Sequence, residues 1–153
     1  MLLAMILMVL SSCGDGVEPT LPPPPESDNR VTMELNGEKW EASNVVAIDS
    51  TWVLQIAGNK GIEVLQIQFN FGGLWPGIYP INDPSVGPPY VSMQFVQPPL
   101  AFQEVQAGQL EVLVFEDNYI AGRFNVVLKN PIGTEQVRLT NGRFVYDQVQ
   151  FYR

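Results

Sequence analysis

The sequence has no histidine, a single cysteine, and only eight Lys+Arg against sixteen Asp+Glu. Without histidine, the Ser-His-Asp and Cys-His nucleophile arrangements are excluded, as is a Cys/His zinc site. Without a second cysteine no intramolecular disulfide can form. A formal charge of −8 leaves no positive footprint to neutralise phosphates, so no nucleic-acid partner is expected, nor electrostatic docking on an anionic bilayer. No apolar run reaches the ~20 residues that span a bilayer as a helix. What is present is the composition of a folded chain: 46% hydrophobic, 10% aromatic and only 16% charged residues, in a length of 153 that holds about one domain.

The amino end reads as an address. Leu2 to Leu10 is an uninterrupted apolar run of signal-peptide length, and it ends in Leu10-Ser11-Ser12-Cys13. Small residues there admit a peptidase to the backbone, and Cys13 supplies the thiol that would head the cleaved chain. The four positions resemble the bacterial lipobox, which implies a diacylglycerol and further acyl chains such as palmitate on Cys13. The bland alternative is Cys13 as a small buried hydrophobe. Against it, residues 14–30 are nearly free of apolar side chains and contain Pro22-Pro23-Pro24-Pro25. Several acyl chains hold a protein on a membrane where one would not, at ~0.8 kcal/mol per buried methylene. Gly14 after the cysteine, in place of Asp, resembles the outer-membrane sorting pattern. The proline tract favours polyproline II at ~3.1 Å per residue and reads as a semi-rigid spacer, with a ligand for a proline-binding domain as the alternative. The expected organisation is therefore a lipoprotein signal peptide at 1–12, the acylated Cys and Pro-rich linker at 13–30, and an all-β domain at 31–153.

From Arg30 onward the hydrophobic period is two. Val31, Met33 and Leu35 alternate with polar residues up to Asn36-Gly37, a type I′ hairpin signal. Leu54 and Ile56 lead to a turn at Asn59-Lys60-Gly61. In the run that follows, Val64 and Leu65 break the alternation, which predicts a bulge there. Leu110 to Val114 and Ile120 to Leu128 form another hairpin, and Asn141-Gly142 is expected to reverse the chain into a last strand ending at Tyr152. Turns every 8 to 12 residues predict an antiparallel β-sandwich or barrel of about eight or nine strands.

Residues 72–99 differ, being crowded with proline and glycine. Proline cannot donate to a ladder, so a strand such as Tyr90 to Val96 is expected to be brief or at an edge. The stretch also holds Trp75, Tyr79, Tyr90, Phe95, and Phe102 just beyond it. Two readings stand side by side: aromatics packed beneath a loop as a satellite core, or a stacking platform for a sugar or other flat ligand formed by Trp75, Tyr79 and Tyr90.

Five segments carry a resemblance across nearly the whole domain: Asn36-Gly37-Glu38-Lys39-Trp40, Trp75-Pro76-Gly77-Ile78-Tyr79, Gly108-Gln109-Leu110-Glu111-Val112, Ile120-Ala121-Gly122-Arg123-Phe124 and Leu139-Thr140-Asn141-Gly142-Arg143-Phe144. In order and spacing they resemble a family of uncharacterised lipoproteins of Bacteroidota-type bacteria whose shared domain has no assigned function. The resemblance implies an extracytoplasmic β domain behind a lipidated cysteine, and no catalytic, metal or cofactor residues. Physically, these segments suit turns, bulges and close strand approach, with Trp40, Tyr79, Phe124 and Phe144 capping a core.

Two classes of function follow. One is a non-catalytic envelope module, tethered to the membrane by its lipid, with a glycan or another envelope protein as partner. The alternative is a glycosidase-like enzyme that works with two carboxylates alone, roughly 5 to 9.5 Å apart. Acids for that role at loops or strand ends are Asp49, Asp83, Glu104, Glu116, Asp117 and Asp147. Glu34, Glu38, Glu41, Glu63 and Glu111 fall on the polar phase of strands, where a solvated face is expected.

Overall fold

The computed structural model describes residues 29–50, 53–70, 74–83, 85, 89–116 and 118–147. The apolar leader, Cys13, the proline tract, Asp117 and the last six residues lie outside them. Among the described residues eleven strands form two antiparallel sheets. The six-stranded sheet has the order β2 (Glu38–Glu41), β1 (Arg30–Leu35), β11 (Gln136–Asp147), β10 (Tyr119–Lys129), β9 (Glu104–Glu116), β6 (Gly77–Tyr79). The five-stranded sheet has the order β3 (Asn44–Ser50), β4 (Val53–Lys60), β5 (Glu63–Asn70), β7 (Tyr90–Gln97), β8 (Leu100–Phe102). The sheets do not close on each other, so the fold is a sandwich and not a barrel. No helix among the described residues is long and apolar enough to cross a membrane.

Local chemistry accounts for the turns. Asn36 and Gly37 adopt φ of 52° and 90°, the pair that type I′ requires, and Asn36 also exchanges hydrogen bonds with Arg138 on β11 (2.8 and 2.9 Å). Gly61 takes φ 60° at the first position of the two-residue turn between β4 and β5, where type II′ selects glycine. The strands then bury alternate residues. Leu54 and Ile56, Leu65, Ile67 and Phe69, and Val91, Met93 and Phe95 point inward from the smaller sheet. Val31, Met33, Trp40, Leu110, Val112, Ile120, Phe124, Val126, Leu128 and Phe144 answer from the larger. Each such large side chain contributes roughly 1.5–3 kcal/mol on leaving water. Phe69 meets Phe144 across the gap (centroids 5.8 Å), and Trp40 stands edge-on to Phe95 (6.2 Å).

Three sequence expectations are corrected. Asn141-Gly142 is not a hairpin: β11 runs through it, and Asn141, at φ 51°, is where the pairing with both β1 and β10 shifts register. The positive-φ residue that a hairpin needs serves a bulge equally well. Val64 and Leu65 mark no bulge, because β5 pairs without a shift on both sides; Val64 simply faces outward. Finally, β7 is an eight-residue interior strand between β5 and β8. The prolines flank it and leave its own N–H groups free to pair.

Candidate functional site

Period-two geometry separates each sheet into a core face and an outer face, and the two outer faces differ in chemistry. On the six-stranded sheet the outer face is charged: Lys39–Glu41 (3.3 Å), Arg123–Glu111 (2.6 Å) and Arg30–Glu41 (4.0 Å) form ion pairs there, while Lys129–Glu104 (3.7 Å) lies at the end of β9 and β10 beside the other sheet's groove. On the five-stranded sheet the outward positions read Asn44, Val46, Ile48 and Ser50 on β3; Val53, Gln55, Ala57 and Asn59 on β4; Val64, Gln66, Gln68 and Asn70 on β5; Tyr90, Ser92, Gln94 and Val96 on β7. None of these is charged, in a chain where 16% of all residues are.

Strand register gathers the amides into rows. Gln55 lies opposite Gln68, which lies opposite Ser92; Gln66 lies opposite Gln94; Asn70 lies opposite Tyr90. Gln68 donates to Asn70 (2.9 Å) and Asn70 to the Ser92 hydroxyl (3.3 Å). Among the described residues no side-chain partner is found for the amides of Gln55, Gln66 and Gln94. These four glutamines, Tyr90 and Ser92 line a groove of about 540 Å³ together with Asn82, Gln103 and Glu104, within the ~300–1,000 Å³ of ligand sites.

One wall of the groove is built by Asn82. Its φ of 55° turns the chain after Ile81, which bridges to Val91. The Asn82 side chain then acts as a piece of strand. Its Oδ1 accepts from the Met93 N–H (2.7 Å), and its Nδ2 donates to the Met93 carbonyl (2.9 Å) and to the Gln103 carbonyl. This closes the part of the β7 edge that three-residue β8 leaves uncovered, where an open edge would invite pairing with another chain. The same wall continues through Gln103 to Glu104, which is held by Lys129 at the end of β10.

A second concavity of about 390 Å³ lies on the charged sheet beside the Asn141 bulge. There Arg123 and Arg143 lie directly opposite one another, with Glu111 paired to Arg123.

The structure separates the three aromatics that the sequence grouped as a platform. Trp75 is 54% exposed, ahead of β6 at the edge of the six-stranded sheet. Tyr79 is 4% exposed; its hydroxyl donates to the Trp75 carbonyl (2.6 Å) and accepts from the Trp75 N–H (3.1 Å), so it packs in the core and pins the loop. Tyr90 lines the groove on the other sheet, half-buried. Phe95 and Phe102 are buried and stacked at 6.5 Å, in keeping with the core reading. Of the acids named from sequence, Glu104 lines the groove; Asp83 instead holds Ser85 through its side chain and backbone N–H. Glu63 is not on a solvated face: it points inward at the rim, accepting from the Trp40 indole N–H (2.7 Å) and the Gln97 amide (2.8 Å). No cluster of three metal-binding side chains occurs among the described residues. Sequence reasoning missed the glutamines, although the repeated Leu-Gln-Ile, Ile-Gln-Phe and Met-Gln-Phe triplets, each a polar amide between two core residues, announce them.

A family model described as a domain of unknown function (DUF6252) matches residues 28–146. Neither a curated protein nor a solved structure matches the chain. The chain belongs to the DUF6252 family, whose matched region takes in all the described strands but the last residue of β11.

Proposed function

We propose that this member of the family is a lipid-anchored cell-envelope protein, exported by residues 1–12, acylated on Cys13, and carrying a non-catalytic binding module on a proline-stiffened tether. The outer membrane is the proposed location, from Gly14. The observation that carries the binding reading is the amide-lined groove with an uncharged sheet floor, where Gln55, Gln66 and Gln94 have no side-chain partner among the described residues. Polar groups set in a concave site without partners are groups a ligand can satisfy. The position of the groove supports presentation away from the membrane. The tether joins β1 at Arg30, level with Ala121 on β10 through Val145, whereas the Glu104 rim pairs with Lys129. Ala121 to Lys129 is about 27 Å of strand at ~3.4 Å per residue.

A glycosidase of the two-carboxylate type would need a second acid beside Glu104, and Glu104 is itself engaged by Lys129. The groove lining offers amides in place of that second acid, which favours binding over hydrolysis.

The test has two arms. Wild type should incorporate a labelled fatty acid and sediment with membranes, and Cys13→Ser should do neither; equal labelling of both would end the anchor reading. For the groove, separated lipid, protein and polysaccharide fractions of envelope extract would be added to the full chain in thermal melts. A fraction that raises the Tm of wild type but not of Gln66→Arg/Gln94→Arg supports the binding module, since a ligand stabilises the state that binds it. No shift from any fraction, or an equal shift in both proteins, refutes it.

A further inference from the structure

The geometry points to a neutral, hydroxyl-rich oligosaccharide as the occupant of the groove, with Tyr90 as its stacking residue and Gln55, Gln66 and Gln94 as its principal hydrogen-bonding residues. This rests on the binding-module reading above and names the ligand class for the same site.

Charge is the first argument. A charged ligand moved from water onto this face would lose hydration and find no counter-charge among the outward residues of β4, β5 and β7 that floor the groove. The single acid among the groove-lining residues, Glu104, is already answered by Lys129, so it offers no free charge to a cation. An acidic chain of net −8 further disfavours anionic polymers. A neutral ligand complements a neutral face.

The second argument is hydrogen-bond arithmetic. A primary amide offers two donors and an acceptor in one plane, and a hydroxyl both donates and accepts, so each amide can engage adjacent hydroxyls with nothing left over. An apolar ligand would cover Gln55, Gln66 and Gln94 and strand their amides, at the full desolvation cost of each. Register places these amides on adjacent strands, ~4.8 Å apart, so a sugar chain laid across the strands meets one row after another. Tyr90, half-buried beside Asn70, presents an aromatic face for the apolar C–H face of a sugar ring while its hydroxyl stays wet.

The third argument removes the strongest competitor. Extended peptides bind sheets by adding a strand to a free edge. Here the β7 edge beside the groove is already taken, by β8 at Phe95 to Gln97 and by Asn82 at Met93. On this side of the groove side chains remain available to a ligand, but backbone does not.

The experiment is calorimetric titration of the full chain in a detergent without a sugar headgroup. The neutral probes are cello-, laminari-, manno-, xylo- and maltohexaose; the controls are oligogalacturonate and an extended heptapeptide. At least one neutral hexasaccharide should bind. Tyr90→Ala and Gln66→Ala/Gln94→Ala should each weaken it at least tenfold, while Trp75→Ala, on the other sheet, should leave affinity unchanged. Should Tyr90→Ala melt abnormally, Tyr90→Phe, which keeps the ring, must retain binding. No binding by any neutral probe overturns the proposal, as does sugar binding that survives the groove substitutions. Binding of oligogalacturonate in place of the neutral probes overturns the neutral class, and binding of the peptide in their place overturns the sugar class; if the same substitutions abolish it, either spares the binding module.

Discussion

Phe124 and Phe144 each lie directly across β10–β11 from a glycine, Phe124 opposite Gly142 and Phe144 opposite Gly122. Each ring covers the neighbouring glycine, an arrangement known to pin register. A Cβ added at Gly142 would overlap the Phe124 ring, whose Cε2, Cδ2 and Cζ are the three nearest atoms. Phe124 is 1% exposed, so the ring has no free space to enter. Gly142→Ala is therefore an overpacking change, costing about 1–3 kcal/mol, offset by ~0.4–1 kcal/mol from the stiffer unfolded chain. A net loss of roughly 1–2 kcal/mol is expected, seen as a fall in Tm of about 4–8 °C for a domain of this size. At Gly122 the added Cβ meets not only Phe144 but the Glu111 carbonyl oxygen, part of the β9 backbone, so Gly122→Ala should cost about 3 kcal/mol or more. Ring removal separates the two sites. In a urea double-mutant cycle, Phe124→Leu should recover about 1 kcal/mol of the Gly142→Ala loss. Phe144→Leu should recover little at Gly122, because the carbonyl remains. Additive losses at Gly142, or equal rescue at both sites, would refute the packing account.

Trp75 is more than half exposed, so Trp75→Ala should change stability by less than about 1 kcal/mol, against the ~3–5 kcal/mol of a buried ring; a larger loss in a denaturant melt would contradict its placement. Asn82→Asp keeps the shape but replaces two donated hydrogen bonds with a carboxylate facing the Met93 and Gln103 carbonyls. It should cost about 2–3 kcal/mol at pH 7. Those carbonyls raise the folded-state pKa of the new acid, so the deficit relative to wild type should shrink as pH falls and the group protonates; a deficit that stays constant from pH 7 to pH 4 would count against the clamp. Trp40→Phe removes the indole N–H that Glu63 accepts and should lose about 1–3 kcal/mol, read by urea melt. If the bond carries that loss, pairing it with Glu63→Gln should be clearly non-additive.

The fold was legible where side-chain period and turn chemistry agree. Val31-Met33-Leu35 before Asn36-Gly37, and Ile120 to Leu128, take the places their alternation predicts. It was misread where one residue type serves two devices. Asn141-Gly142 has the composition of a hairpin, and only the competing partners on both sides, β1 and β10, make it a bulge. The prolines around Tyr90 to Gln97 signalled an edge because the sequence does not say on which side of a strand end they fall. All five segments that carry the family resemblance lie in or lead into strands of the six-stranded sheet, where glycine and aromatic residues fix backbone approach, so they speak of architecture. The groove was hidden for a different reason. Gln55, Gln66, Gln68 and Gln94 are each an unremarkable polar residue on a strand, and they become a surface only when β4, β5 and β7 pair in register. Tyr90 was singled out beside Trp75 and Tyr79 by proximity in sequence, yet the sandwich assigns it to the opposite sheet.

The central claim, that the amide-lined face of the five-stranded sheet is the ligand site, is tested most directly by following the side-chain NH₂ resonances of the full chain carrying Cys13→Ser during titration with neutral hexasaccharides. The account predicts saturable shifts of the Gln55, Gln66, Gln68 and Gln94 amides together with the Tyr90 ring protons, and none at the Trp75 indole. Shifts centred on Trp75 or on Arg123 and Arg143, with the four glutamines unmoved, would contradict it.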